Sequence, residues 1–193
     1  MTRLCEISVT AELRARACAG EEAAREAIYA ALAPATFGLV RRLIGQRGPA
    51  EDVFQDTMMI FFERLTDFRD EAPLGAWLRQ IALSRCFMYL RSPWRRARLR
   101  LESAADVAAP GGLTLVTAGI TPEALDLERA LGRLAPTARA VLWMYEVEGY
   151  SHAEIARAFG RSVSFSKSQL ARAHARLRAW YEPEEARQPC TPI

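Results

Sequence analysis

Apolar residues recur at helical spacing along almost the whole of this chain, and no alternating apolar–polar run of useful length interrupts them. A strand buries one face with a period of two, a helix with a period of about 3.6. The pattern therefore restricts the chain to helices packed on helices. It predicts helices over 10–32, 34–45, 50–66, 73–91, 123–134, 136–148, 151–159 and 162–181, with breaks at Gly48-Pro49 and at Glu71-Ala72-Pro73.

One segment lacks the period. Glu102–Pro122, ESAADVAAPGGLTLVTAGITP, contains no Lys or Arg and carries Pro110-Gly111-Gly112. Some twenty residues is too long for a loop inside a compact domain, so the segment reads as a flexible linker. The expected fold is all-α, with two small helical domains at 1–100 and 123–182, the second containing a helix-turn-helix. A flexible linker at 101–122 joins them, and 183–193 forms a C-terminal tail. With half of its 193 residues apolar, the chain can build such cores. Its longest apolar runs are short, such as Met58–Phe62, so no stretch is expected to span a bilayer. Charges come too early in MTRLCEISVTAELR for a signal peptide, which leaves a cytoplasmic protein as the default.

Net charge is only +3, yet the charges are sorted. Residues 48–71 hold seven acids against Arg64 and Arg69. From Ala72 to Leu101 there are seven arginines and no acid, four of them in SPWRRARLR, residues 92–100. A second acid-free basic stretch runs from Ile155 to Tyr181. Such blocks are footprints for a polyanion, although a solvated arginine face would look the same. Cys5, Cys18, Cys86 and Cys190 form no CxxC pair, and His152 and His174 lie near neither each other nor a Cys in sequence. A metal site is not expected, and neither is a cofactor. No paired carboxylates, Cys/His dyad or Gly-rich phosphate loop stands at useful spacing, so no catalytic residues are assigned.

The acidic stretch GPAEDVFQDTMMIFFERL has two faces. Phe54, Met58, Phe61 and Leu65 fall on one stripe and belong to a core. Asp52, Gln55, Asp56, Met59 and Glu63 take the other. An acidic face with an apolar residue in its middle suits docking of a basic partner protein, with an ordinary wet face as the alternative. In PLGAWLRQIALSRCFMYL the apolar set is Leu74, Trp77, Leu78, Ile81, Ala82, Met88 and Tyr89, and Arg79, Arg85 and Arg91 project elsewhere. Aromatics among arginines suit single-stranded nucleic acid, where bases stack and phosphates are neutralised. Trp77 is placed in the core, and Trp94 is left open.

Residues 149–180 carry the most specific local signal. Ser151-x-x-Glu154 is a capping box that starts a short helix. Gly160 ends it as a left-handed cap, and Ser162 caps the next helix after a tight turn. Val163, Leu170, Ala173 and Leu177 form the buried stripe of that helix; Ser164, Lys167, Ser168, Ala171 and Arg172 lie outside. A short turn between two helices, the second small and basic outside, is the helix-turn-helix arrangement, with a plain helical hairpin as the alternative.

These residues resemble the bacterial sigma factors of the extracytoplasmic-function (ECF) type, from about Ala11 to Arg178. AEDVFQDTMMIFFERLTDF is similar to the segment that grips the clamp helices of RNA polymerase, with matches at Glu51, Asp52, Gln55 and Asp56. APLGAWLRQIALSRCFMYLR is similar to the segment that melts and reads the minus-ten promoter element. LGRLAPTARAVLWMYEVEGYSHAEIARAFGRSVSFSKSQLARAHARLR is similar to the domain that reads the minus-thirty-five element. The resemblance implies a non-enzymatic initiation factor that binds core RNA polymerase, recognises promoter DNA as duplex and as melted single strand, and opens it. An anti-sigma protein is implied as a further partner. By position, polymerase would meet Asp52, Gln55, Asp56, Met59 and Glu63. Phe68, Arg69 and Trp77 would border the loop facing an extruded minus-ten base. Arg79, Ser84, Arg85, Arg91, Arg95 and Arg96 would contact the opening strands. Arg161, Ser162, Ser164, Phe165, Lys167, Ser168, Gln169 and Arg172 would serve the major groove.

The chain departs from the family pattern where Ser84 replaces the usual Asn and Met88 the usual Asp. Phe165-Ser166-Lys167-Ser168-Gln169 stands where Thr-Val-Lys-Ser-Arg is usual, so Ser166 falls on a stripe expected to be apolar. Phe165 stands at its edge, where it can rotate in, and Gln169 replaces a phosphate-binding arginine. Two other readings remain at this point: a helix-turn-helix regulator acting without polymerase, and an interaction module whose arginines serve only solubility.

Overall fold

The computed structural model describes residues 4–92, 126 and 129–181, and every regular element among them is helical. The chain divides into two compact units, Met1–Arg100 and Leu101–Ile193. Arg95, Arg96 and Trp94 of the arginine run, the expected linker and the expected tail lie outside the described residues.

The first unit contains α1 (Ala11–Cys18), α2 (Glu22–Ile44), α3 (Arg47–Glu63) and α4 (Leu74–Arg91), with 3₁₀ turns at Leu4–Glu6 and Leu65–Asp67. Helices α2, α3 and α4 pack on one another, and α1 lies against α2. Ile28, Leu32 and Leu43 of α2, Phe61 of α3 and Leu78 of α4 are fully buried where they meet.

Several helix boundaries differ from the sequence expectation. The helix expected over 10–32 is broken at Gly20, whose φ is +90°. There the Glu21 N–H donates to the Arg16 carbonyl at 3.1 Å, a left-handed cap that glycine adopts without a Cβ penalty. The expected break before residue 34 is absent, and α2 runs through Pro34. A mid-helix proline forfeits a hydrogen bond and crowds the preceding turn. The buried face of α2 outweighs that cost, and the Thr36 hydroxyl donates to the Leu32 carbonyl at 2.8 Å beside it. Gly48 and Pro49 lie inside the first turn of α3 rather than ahead of it, where the missing proline N–H has no helical partner to lose.

Helix α2 also corrects the membrane expectation. It is long and apolar enough to cross a bilayer, with a mean hydropathy of 1.3 over its most apolar window. A search for unbroken apolar runs passes over it because Arg, Glu and Thr punctuate its aliphatic residues. Half of that window is buried inside the protein, as befits a core helix.

In the second unit, helical residues 129–132 precede α5 (Pro136–Glu146), α6 (His152–Phe159) and α7 (Val163–Tyr181). Helix α7 packs against both α5 and α6. Val141 and Met144 of α5, Ile155 of α6 and Ala173 of α7 form the buried centre. Arg139 is buried too, and its guanidinium donates to the Leu131 carbonyl at 3.4 Å.

Candidate partner and nucleic-acid interfaces

Helix α3 presents its two faces largely as its spacing dictates. Met58, Phe61 and Leu65 are buried, while Phe54 is only half-buried and meets the rings of Tyr29 and Phe37 edge-on. Asp52, Gln55, Asp56, Met59 and Glu63 are all exposed on the opposite side, Met59 to 61%. A thioether so exposed offers apolar surface to a partner. The docking face expected from α3 alone omitted α2, which joins this surface. Tyr29, 44% exposed, faces Met59 and Phe62 across a groove of about 700 Å³ rimmed by Glu22, Glu26 and Glu63. The signal for it was the i, i+3, i+4, i+7 spacing of Glu22, Arg25, Glu26 and Tyr29 on α2.

Helix α4 is buried around more than half its circumference, because it packs against α2, α3 and the Leu4–Glu6 turn. Leu83, Cys86, Phe87 and Leu90 therefore join the expected core residues. Burial pushes the Cys86 thiol up to about 12, so it stays protonated and inert. Met88, expected on the apolar stripe, is 51% exposed. It shares the narrow outer sector with Gln80, Ser84 and Arg91. Arg79 is half-buried. Arg85 turns towards α3, where its guanidinium donates to the Asp56 carboxylate at 2.9 Å and lies 3.5 Å from the Met88 sulfur. The charge sorting read from the sequence is thus bridged by an ion pair between the acidic and basic helices.

The segment between α3 and α4 carries Phe68 and Arg69. Phe68 is half-buried, with its ring 5.4 Å from that of Trp77, which lies 5.6 Å from Phe61. Trp77 is accordingly half-buried, against the expectation of a core residue, and Arg69 is exposed. Arg14 of α1 reaches this segment and pairs with Asp70, a contact the sequence did not signal.

In the second unit the local signals hold. The Ser151 backbone N–H donates to the Glu154 carboxylate at 2.8 Å, and the Glu154 N–H donates to the Ser151 hydroxyl at 3.3 Å. Hydrogen bonds from the Ser151 side chain and then its backbone hold the Glu154 carboxyl below the usual carboxylate range. Gly160 closes α6 with φ +60°, and the Ser162 hydroxyl accepts from the Phe165 N–H at 3.3 Å. Arg161, Ser162, Ser164, Lys167, Ser168 and Arg172 are exposed, while Phe165 and Gln169 are half-buried.

The buried stripe of α7 keeps its expected register but is not buried at its two ends. Val163 is 43% exposed and Leu177 half-buried, while Ser166 is fully buried. The reason for the last is His152, whose Nδ1 lies 3.0 Å from the Ser166 hydroxyl and whose ring stacks on Tyr145 at 4.5 Å. A hydrogen-bonded hydroxyl can occupy a core position that an unpaired one could not. Phe165 turns against Phe159 at 5.9 Å and fills the adjoining edge. Among the described residues no cluster of three His, Cys, Asp or Glu side chains forms a metal site.

Both units have counterparts among known proteins. The Sigma-70 region 2 family model matches residues 28–96, and that of Sigma-70, region 4 matches residues 124–177. The chain is 31% identical over 167 residues to the ECF RNA polymerase sigma factor SigM of Mycobacterium tuberculosis, covering 86% of this chain and 82% of that protein. It is 29% identical over 171 residues to the RNA polymerase sigma factor CnrH of Cupriavidus metallidurans, covering 83% and 84%. A solved structure of the sigma factor RpoE with the anti-sigma factor NepR, from Bartonella quintana, shares the fold. Its TM-score is 0.51 at 23% identity, over 80% of this chain and 94% of that one.

Proposed function

The chain belongs to the extracytoplasmic-function RNA polymerase sigma factors, a family of promoter-recognition factors, and from that membership we propose which of its surfaces does which part of the work. Core polymerase docks on the acidic face of α3 through Asp52, Gln55, Asp56, Met59 and Glu63, with Tyr29 and Glu26 of α2 extending the contact. Met59, apolar and exposed on the same face as Asp52, Asp56 and Glu63, carries this reading: it suits a basic helical partner with an apolar ridge.

The minus-ten element is taken by the loop bearing Phe68 and Arg69, beside Trp77, and by the outer side of α4 with Ser84 and Arg91. Arg79, Arg85, Arg95 and Arg96 add phosphate contacts along the opening strands. The first turns of α7 enter the major groove at the minus-thirty-five element with Ser164, Lys167, Ser168 and Arg172, flanked by Arg161, Ser162, Phe165 and Gln169. The family is regulatory rather than catalytic, and the absence of covalent chemistry in this chain is part of the same proposal, as are action in the cytoplasm and control by an anti-sigma protein. Family membership does not favour the alternative of a regulator acting without polymerase.

The test is a promoter gel shift with and without core polymerase. The proposal expects weak duplex binding by the chain alone, specific retention with core enzyme, and loss of that retention when Asp52 and Asp56 are changed to Arg. Tight, polymerase-independent duplex binding would overturn it.

A further inference from the structure

We propose that Arg14 is a positioning residue for promoter reading: from α1 it fixes the 64–73 loop in the shape that presents Phe68 and Arg69. The inference rests on the reading that this loop faces the extruded minus-ten base. Three observations carry it. The Arg14 guanidinium lies over the Phe68 ring, 5.3 Å from its centroid. The same group pairs with the Asp70 carboxylate. Asp70 holds φ +56°, and among the described residues it is the only one besides glycine at positive φ. That conformation persists in a non-glycine residue when its surroundings hold it there.

Arg69 sits between these two anchored neighbours. Phe68 also packs on Trp77, at 5.4 Å between ring centroids, and Trp77 rests on the buried Phe61. The exposed Arg69 is therefore carried on a backbone fixed at both flanks, while its own side chain stays available. The Arg14 side chain is itself only 19% exposed, which sets it apart from a solvated cation. A planar guanidinium can stack on a ring and bond a carboxylate together, a combination an ammonium reproduces only in part. The end of the loop is tightly packed as well: Gly75, in the first turn of α4, lies so close to the Leu4 carbonyl that any Cβ would overlap it.

The test uses holoenzyme assembled from core polymerase and the full chain. Open-complex formation is measured on promoters that vary one minus-ten base at a time, with polymerase affinity measured in parallel. Phe68→Ala and Arg69→Ala are expected to flatten the preference at one minus-ten position. Arg14→Ala is expected to flatten the same position by about three- to tenfold, at the lower end of contact couplings, with polymerase affinity unchanged. Asp70→Asn tolerates the left-handed backbone and lacks the charge, so it should reproduce the effect without threatening the fold. The double variant should be no worse than either single one, and Arg14→Lys should recover part of the preference. If Phe68→Ala and Arg69→Ala flatten the preference while Arg14→Ala and Asp70→Asn retain it, the positioning role is wrong and the loop reading stands. If all four retain it, the loop reading falls and this inference with it. A uniform loss on every promoter, together with lost polymerase affinity, would assign Arg14 a general structural role and overturn the proposal.

Discussion

Changing Asp56 to Asn should separate what this carboxylate does inside the chain from what it does for a partner. Its internal partner is Arg85, at 2.9 Å, with the two side chains 52% and 28% exposed. A pair so open to water contributes about 1 kcal/mol at most, since solvent screens it and both side chains lose freedom. The Asn variant should then lower the melting temperature of the first unit by less than about 8 °C. In the polymerase complex the same carboxylate would meet a basic group away from water. Losing one partner of such a pair costs roughly 2 kcal/mol or more, or about thirtyfold in affinity. Arg85 competes for Asp56 in the free chain, so Arg85→Ala should act in the opposite sense. It removes a self-contact worth up to about 1 kcal/mol, and polymerase should bind up to about fivefold tighter. Titration of labelled chain with core polymerase at physiological salt, with thermal melts of the same variants, reads both numbers. If Asp56→Asn costs more than about 2 kcal/mol of stability and leaves affinity intact, or if Arg85→Ala weakens docking, then Asp56 is an internal strut and the reasoning fails.

Met59→Ala, at a 61% exposed position, should keep stability within about 0.5 kcal/mol while reducing polymerase affinity about tenfold; Phe61→Ala, two residues on but fully buried, should cost about 3–5 kcal/mol in urea unfolding. Ser166→Ala removes the hydroxyl that pairs with His152 and should destabilise the second unit by about 1–3 kcal/mol, read by thermal melting. Gly160→Ala places a side chain at φ +60° and should cost about 1–2 kcal/mol in the same assay, although nothing crowds the site. The lowered Glu154 carboxyl contributes stability that is complete above the ordinary glutamate value of about 4.3 and lost as pH falls through its depressed value; melts across that acid range should show the loss, and Glu154→Gln should flatten it.

The sequence by itself determined the features that neighbours along the chain decide. Helical periodicity set the all-α class, the spacing in α3 set which side of it is acidic, and Ser151, Glu154, Gly160 and Ser162 marked both ends of α6 and the start of α7. Each of these signals works within about four residues, the reach of a helical turn or a cap. Tertiary structure decided the rest. Pro34 stays inside a helix because the packed face of α2 outweighs a lost hydrogen bond. Met88 faces outward because α4 is enclosed on three sides. Ser166 is a core residue because His152, 14 positions away, satisfies it. Asp56 meets Arg85 across 29 positions, and Arg14 meets Asp70 across 56. Helix periodicity assigns a residue to a face and says nothing about which other face it will touch; that is fixed only when the helices pack.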